Sequence, residues 1–251
     1  MINNIQNKLL QNFADPNFLP SVNELKEAFP IEDSFVTNSK ELPYLSLEFT
    51  KFQYEHNYYQ VYTKEFIESL SKYLANQIKA YYKEYNTPIT LLEVGSGDGR
   101  LSLFLQQELS NILDQKLYLI VSTDNKDWEK RGMTNKESNH VVNMDYKDAI
   151  KKYAAGPTII LSCWMNVDVD WTGDFRSETT IKEYIMIGDV FRTAYYGQGY
   201  YLPINSDFIC KRLSQEDNGH GKKIVNGLVG RFDGSPHNPT SKTEVYAFIR
   251  Q

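Results

Sequence analysis

The stretch PITLLEVGSGDGRLSLFL, from Pro88 to Leu105, decides the fold of this chain. The segment Ile89–Val94 is mostly apolar and has the length of a buried strand. Glycines then follow at every second position, at Gly95, Gly97 and Gly99. Beyond them, from Leu101 to Leu109, apolar residues recur at helical spacing. The stretch therefore predicts a strand, a glycine turn and a helix whose free N–H groups face the turn and favour a polar or anionic ligand.

The spacing of the glycines separates two classes of ligand. A dinucleotide-binding turn has the pattern G-x-G-x-x-G, in which the third glycine lets the helix pack on the strand. Arg100 stands in that place here, which disfavours a nicotinamide-dependent oxidoreductase. The pattern G-x-G-x-G, with Glu93 two residues before Gly95, instead resembles motif I of the class I S-adenosylmethionine-dependent methyltransferases. A glycine turn without a ligand is the alternative.

The resemblance covers roughly residues 88 to 251 and implies an α/β fold with a doubly wound, mostly parallel seven-stranded sheet. Apolar or alternating runs predict the remaining strands at 117–123, 140–144, 158–162, 184–187, 207–213 and 244–250, the last two as an antiparallel pair. An apolar stripe from Phe66 to Tyr81 predicts a helix that packs on the sheet, and a short helix is expected near Phe175 to Ile181. Residues 1–87 are expected to form an N-terminal helical cap, and residues 88–251 the methyltransferase domain.

The resemblance also assigns residues to the cofactor S-adenosylmethionine. In the family, the acid and the loop backbone hold the methionine part of the cofactor, which implies that role for Glu93, Gly95, Ser96, Gly97 and Gly99. Asp124 matches the acid that ends the second strand in the family and binds the ribose hydroxyls. That acid usually follows the glycines by about 20 residues, and Asp124 follows them at a somewhat longer distance. A turn or a helix cap is the alternative role for Asp124. Met144 and Asp145 match the place that meets the adenine. Ser162, at the end of the fourth strand, is also expected to belong to the cofactor site.

The exit of the fourth strand, from Cys163 to Trp171, is where the family places its acceptor chemistry. Trp164, Asp168 and Asp170 are the candidate catalytic residues there, because an aspartate takes a proton from an acceptor or holds a cation. The alternative is that both aspartates cap the short helix or turn the loop, and that Trp164 and Trp171 pack against the sheet. A further alternative builds the acceptor site from the tyrosine-rich segment Tyr195–Tyr201 and the N-terminal cap.

Composition narrows the classes of partner. The chain has 251 residues, a formal net charge of -5 and a pI of about 5.5, so it has no overall positive field to attract nucleic acid. Two distant cysteines and four scattered histidines show no metal-ligand spacing, so no metal is expected. Nowhere do 18 apolar residues run together and no signal sequence is recognisable, so a cytoplasmic protein without membrane contact is expected.

These observations predict a methyltransferase that transfers the methyl group of S-adenosylmethionine to a small-molecule or protein acceptor. The alternative is a catalytically inactive domain that binds the cofactor and serves as an interaction module. Neither the acceptor nor the oligomeric state follows from the sequence, because family members share cofactor residues rather than acceptor residues.

Overall fold

The computed structural model describes residues 4–13, 15, 17–29, 60–127, 140–190, 193–214, 224–225 and 243–251. Its helices are α1 (Asn4–Asn12), α2 (Val22–Ala28), α3 (Lys64–Tyr85), α4 (Arg100–Ile112), α5 (Tyr146–Tyr153) and α6 (Thr172–Ser177). Its strands are β1 (Ile89–Val94), β2 (Tyr118–Asp124), β3 (Val141–Asn143), β4 (Thr158–Cys163), β5 (Ile181–Gly188), β6 (Phe208–Arg212) and β7 (Glu244–Arg250). Single 3-10 turns span Gln115–Leu117 and Gln198–Tyr200.

The strands form one seven-stranded sheet in the order β3-β2-β1-β4-β5-β7-β6. Strands β1 to β5 are parallel, whereas β7 runs antiparallel to both β5 and β6. The sheet is therefore mixed, with the antiparallel pair at one end that the alternating sequence pattern predicts. The strand order reverses between β1 and β4, and in open α/β sheets ligands bind beyond the carboxyl ends of the strands at such a point.

Helices cover both faces of the sheet. Successive residues of a strand point to opposite sides, so each face of β1 packs against different helices. On one face, Leu92 and Val94 belong to an apolar cluster with Ile150 of α5 and Phe175 of α6. On the other face, α4 lies beside β1, since Ser102 of α4 donates a hydrogen bond to Glu93. The doubly wound arrangement predicted from the sequence is confirmed.

The prediction of a short helix near Phe175 to Ile181 is wrong in its boundaries. Helix α6 spans Thr172–Ser177, and Ile181 already begins β5, three residues before the predicted strand. Ile181 pairs with Thr158 of β4 and is fully buried, so pairing with a neighbouring strand fixes the start of β5. The backbone N–H and hydroxyl of Thr180 both donate to Glu178, which forms a turn between the helix and the strand.

The chain divides into two compact units, Met1–Ser69 with Asn226–Thr243, and Leu70–Val225 with Glu244–Gln251. In the first unit, α1 and α2 bury an apolar cluster that consists of Leu9, Phe13, Leu25, Ala28, Phe29 and Val61. Ser21 and Glu24 form a reciprocal capping box that begins α2. The first unit is thus helical in its described residues. Its role as a cap and the predicted boundary between residues 87 and 88 stay predictions, and the two compact units part within α3.

A buried carboxylate fastens α3 to the sheet within the second unit. Glu183 of β5 is fully buried and accepts hydrogen bonds from the Tyr73 hydroxyl at 2.7 Å, the Gln77 amide at 2.8 Å and the Tyr81 hydroxyl at 3.3 Å. The three donors follow at intervals of four residues, so they lie along one stripe of the helix. Loss of solvation raises the pKa of the Glu183 carboxyl to about 7, although the three donors oppose this shift.

This raised pKa predicts a pH-dependent stability. The folded state binds the Glu183 proton more tightly than the unfolded state, so its contribution is complete below the ordinary pKa of 4.5 and is lost as the pH rises to about 7. Glu183→Gln cannot titrate, so urea unfolding at pH 5 and pH 8 should show the variant gaining roughly 2–3 kcal/mol relative to the parent protein at the higher pH. Glu84→Gln, at an exposed position of the same helix, should keep the parent's pH dependence. An unchanged slope in Glu183→Gln would contradict the assignment.

Candidate functional site

The glycine turn lies at the carboxyl end of β1, where the strand order reverses. Its three glycines have φ angles of +66°, +58° and +73°, at Gly95, Gly97 and Gly99. These angles lie in the left-handed region, which glycine adopts without steric cost. The N–H of Ser96 donates to the Thr123 carbonyl at 3.0 Å, and that of Gly99 donates to the Ser96 carbonyl at 3.0 Å. The predicted strand, turn and helix are confirmed, and the turn is held by the end of β2.

Two of the glycines also stand where no side chain fits. A Cβ atom on Gly99 would lie 2.4 Å from Cγ2 of Val141 and 2.7 Å from Nε2 of His140. A Cβ atom on Gly95 would lie 3.0 Å from Cη2 of Trp171. Packing therefore disfavours a side chain at Gly99 and, less strongly, at Gly95, independently of any ligand.

Asp124, at the end of β2, supports the turn through both carboxylate oxygens. Its Oδ2 accepts the N–H of Gly97 at 2.8 Å, and its Oδ1 accepts the N–H of Lys126 at 2.6 Å. Its backbone carbonyl accepts the N–H of Met144 at 2.9 Å, which connects β2 to the end of β3. Asp124 thus occupies the predicted place beside the glycine turn and acts there as an anchor of the loop. Its contact with a ribose stays a prediction.

Glu93 is buried beneath the turn, with 1% of its surface exposed. Its Oε2 accepts hydrogen bonds from the N–H and the hydroxyl of Ser102, and from the hydroxyl of Ser122 at 3.2 Å. Its Oε1 has no hydrogen-bond partner. Burial raises the pKa of the Glu93 carboxyl to about 7, against the effect of both serines. One oxygen of this carboxylate is satisfied by the fold, and the other is buried without a hydrogen-bond partner.

Buried oxygens without partners concentrate at this edge of the sheet. In the described part of the chain, four buried side-chain oxygens have no hydrogen-bond partner, and three of them are Glu93 Oε1, Ser96 Oγ and Ser162 Oγ. The fourth is Ser71 Oγ, on α3. Buried polar groups without partners are rare and costly, and a ligand-binding role is one physical reason for them. Ser96 lies in the turn and Ser162 near the end of β4, so the three oxygens border the point where the strand order reverses.

The residues predicted to meet the adenine follow β3. Asp145 caps α5, because its Oδ1 accepts the N–H of Lys147 at 2.9 Å. Met144 is half-buried and is held by Asp124 through its backbone. The structure brings both residues to the same edge as the glycine turn through this contact. Their role toward a ligand stays a prediction.

The three candidate acceptor residues differ in their surroundings. Trp164 is half-buried, has a φ of +57°, and donates its N–H to the Ile187 carbonyl at 2.7 Å. The Oδ1 of Asp170 accepts both the N–H and the hydroxyl of Thr172, at 2.9 Å and 2.6 Å, at the start of α6. Both aspartates are exposed. The alternative of a local capping role describes the contacts of Asp170 with Thr172.

Sequence reasoning did not assign Trp171 to the site. Its indole lies against Gly95 and stacks on the ring of Tyr146, with centroids 4.6 Å apart and an interplanar angle of 17°. The Tyr146 hydroxyl in turn donates to Asp174 at 2.7 Å. The only signal in the sequence was a tryptophan within the exit of the fourth strand. Its contact with the glycine turn depends on the adjacency of β1 and β4.

A left-handed turn that the sequence did not predict lies beside the β4 exit. The φ angles of Ala194, Tyr195, Tyr196 and Gly197 are +49°, +53°, +54° and +88°, and the N–H of Gly197 donates to the Thr193 carbonyl at 2.9 Å. Three of these residues carry a side chain, and each such residue costs about 1–2 kcal/mol in this conformation. The N–H groups of Ala194 and Tyr196 donate to the carbonyls of Met165 and Val167, at 3.4 Å and 3.2 Å. These contacts hold the turn against the exit of β4.

The described residues contain neither a metal-binding cluster nor a membrane-spanning helix. No group of three or more His, Cys, Asp or Glu side chains is arranged to hold a metal ion among them. No helix within the described ranges combines the length and the apolar character needed to cross a membrane.

The crowding at Gly99 predicts the cost of a single methyl group. Gly99→Ala should destabilise the protein by about 2–4 kcal/mol, because the methyl group meets Val141 and His140 and the residue keeps a positive φ. Gly156→Ala is the matched control, since a Cβ atom there meets nothing within 4 Å. Thermal and urea unfolding measure both changes. Equal stability of the two variants would show that the turn adapts to a side chain.

Comparison with known proteins gave matches among solved structures alone. No protein-family profile and no curated protein sequence matches the chain. The plantazolicin methyltransferase BpumL, in complex with a pentazolic desmethylPZN analog and SAH, is 12% identical, with coverage of 81% of this chain and 90% of that protein and a TM-score of 0.41. The N-terminal domain of EvdMO1 with SAH bound is 13% identical, with coverage of 70% and 81% and a TM-score of 0.28. An uncharacterised protein from Burkholderia thailandensis is 10% identical, with coverage of 98% and 72% and a TM-score of 0.29. This chain has a class I methyltransferase-like fold, because its sheet consists of five parallel strands followed by an antiparallel pair.

Proposed function

We propose that this protein is an S-adenosylmethionine-dependent methyltransferase that acts on a small-molecule or protein acceptor. The observation that carries the proposal is the set of three buried oxygens without partners, Glu93 Oε1, Ser96 Oγ and Ser162 Oγ, around the glycine turn. Together with the loop backbone they offer a carboxylate oxygen and two hydroxyls at the edge of the sheet where ligands bind in this class of fold.

The donor set fits the polar groups of S-adenosylmethionine. The free Glu93 oxygen is suited to the cationic amino group of the methionine part, because a cation beside a buried carboxyl stabilises its charged form. The hydroxyls of Ser96 and Ser162 either donate or accept, so they suit the polar atoms of the same part. Asp124 is assigned to the ribose, and Met144 and Asp145 to the adenine. When bound, S-adenosylmethionine supplies a methyl group on a positively charged sulfur and leaves as S-adenosylhomocysteine.

The acceptor side is assigned to the exit of β4. Asp168 is exposed there and is suited to take the proton that an amine or hydroxyl acceptor must lose. Asp170 has one carboxylate oxygen engaged by Thr172, so its assigned role is to hold the entry of α6 and to add negative charge. Trp164 is assigned to the orientation of the acceptor. Much of the rate enhancement then comes from holding acceptor and donor in line, rather than from a covalent intermediate.

Cofactor binding tests the proposal directly. Calorimetric titration should show binding of S-adenosylmethionine and S-adenosylhomocysteine and none of NAD. Ser162→Ala should weaken both by about threefold to tenfold, because it removes one buried hydrogen-bonding group from the site. Ser71→Ala also removes a buried hydroxyl without a partner, but on α3, so it should bind the cofactor as the parent does. Binding of NAD alone would overturn the proposal, and binding without transfer of labelled methyl to any lysate fraction would favour the inactive interaction module.

Asp124 gives the second test at this site. Asp124→Ala should weaken binding of S-adenosylmethionine by roughly tenfold or more, since hydrogen bonds to a charged group contribute about 1.5–3 kcal/mol and the glycine turn also loses its support. Asp127→Ala is the control, because Asp127 contacts Asn125 outside the turn. Normal affinity in Asp124→Ala with weak affinity in Asp127→Ala would show that the acid of this site is misassigned.

A further inference from the structure

We infer that Tyr195 and Tyr196 form an aromatic platform for a cationic nitrogen of the methyl acceptor. This inference rests on the proposed function and deepens it, because it names the chemical class of acceptor. Tyr195 is 47% exposed and Tyr196 is 69% exposed, and their ring centroids lie 6.1 Å apart at an interplanar angle of 66°. The name "tyrosine platform" is used below for these two rings.

These two rings are not buried by packing within the fold. The side chain of the turn that the fold buries is that of Ala194, which is fully buried and lies against Gly199. The positive φ angles of the two tyrosines are unfavourable, and the turn keeps them through backbone hydrogen bonds to the β4 exit. The result is that two large rings face solvent from a conformation that the protein maintains at a cost.

The tyrosine platform lies beside the proposed acceptor residues. The N–H of Tyr196 donates to the carbonyl of Val167, which immediately precedes Asp168. The N–H of Ala194 donates to the carbonyl of Met165, next to Trp164. Both contacts are with the segment that leaves β4 at the carboxyl edge of the sheet, so an acceptor on the rings is close to the chemistry assigned there.

Charge in the two segments favours a cation. The exit of β4 and helix α6 contain the three aspartates Asp168, Asp170 and Asp174 and one arginine, Arg176, and Asp174 pairs with Lys147 at 3.7 Å. Residues 193–206 contain no charged side chain. The basic residue that precedes the turn, Arg192, lies outside the described residues. Aromatic faces attract ammonium groups within about 6 Å, and nearby carboxylates strengthen the same preference.

The chemistry of an amine acceptor is balanced with these groups. The bound ammonium first gives one proton to Asp168 or to water, which frees the nitrogen lone pair. That lone pair forms the nitrogen–carbon bond as the carbon–sulfur bond breaks, and the electron pair of the broken bond stays on sulfur. The methylated nitrogen then carries the positive charge that the sulfur carried before.

A pair of isosteric probes tests the platform without knowledge of the acceptor. Choline carries a quaternary ammonium group, and 3,3-dimethylbutan-1-ol is its neutral isostere. Ligand-observed NMR titration should show choline binding at millimolar concentration and the isostere binding roughly fivefold or more weakly. Tyr195→Leu and Tyr196→Leu should each reduce this preference, and the double variant should abolish it. Tyr195→Phe and Tyr196→Phe keep the ring and should retain it.

The matched control is Tyr85→Leu, a partly exposed tyrosine at the end of α3 whose ring already contacts the Lys182 ammonium. It should keep the parent's preference for choline. Equal binding of the two probes, or a preference that survives in the double leucine variant, would overturn the platform. Titration of the same proteins with S-adenosylmethionine separates the two proposals. Normal cofactor binding without choline preference removes the platform alone, and choline preference without cofactor binding removes the proposed function alone.

Discussion

The hydrogen bonds of the Asp124 carboxylate hold the proposed site together. One oxygen fixes Gly97 in the turn after β1, the other fixes Lys126 after β2, and the backbone carbonyl of the same residue holds Met144 after β3. Three strand ends are therefore positioned by one side chain and its own peptide group. A charged acceptor of this kind makes stronger hydrogen bonds than a neutral one, which suits a loop built from residues with little conformational preference. Any ligand that binds Asp124 must do so without separating it from the turn.

The fold leaves a buried carboxyl partly unsatisfied where the ligand is proposed and satisfies a comparable buried carboxyl elsewhere. Glu93 and Glu183 are both buried carboxyls of β1 and β5, and both have a pKa raised to about 7. Both oxygens of Glu183 are engaged by donors from α3, whereas Oε1 of Glu93 has no partner. The difference agrees with the structural role of Glu183 and with the binding role proposed for Glu93. Real proteins depart from complete polar satisfaction mainly at functional sites.

Features that depend on local spacing and the antiparallel pair of terminal strands were predictable from the sequence, whereas the side-chain contacts between neighbouring strands were not. The turn at Gly95–Gly99 and the start of α4 follow from the order of apolar residues and glycines, and the structure confirms them. The start of β5 at Ile181 depends on pairing with Thr158, which lies on a different strand, so the helix before it was misplaced. The anchoring role of Asp124 and the contact of Trp171 with Gly95 require the adjacency of β1 with β2 and β4. The left-handed turn has no local signal, because alanine and tyrosine disfavour that conformation.

The position of β7 in the sheet has a consequence for folding during synthesis. β5 has β4 on one side and β7 on the other, although β7 follows it by more than fifty residues in the sequence. Until the ribosome has released residues 244–250, the emerging chain carries an open edge on β5, next to the apolar side chains of Ile185, Met186 and Ile187. Open apolar edges pair readily with other chains. β5 therefore gains its second neighbour only once residues 244–250 are present, and β6 joins the sheet only through β7.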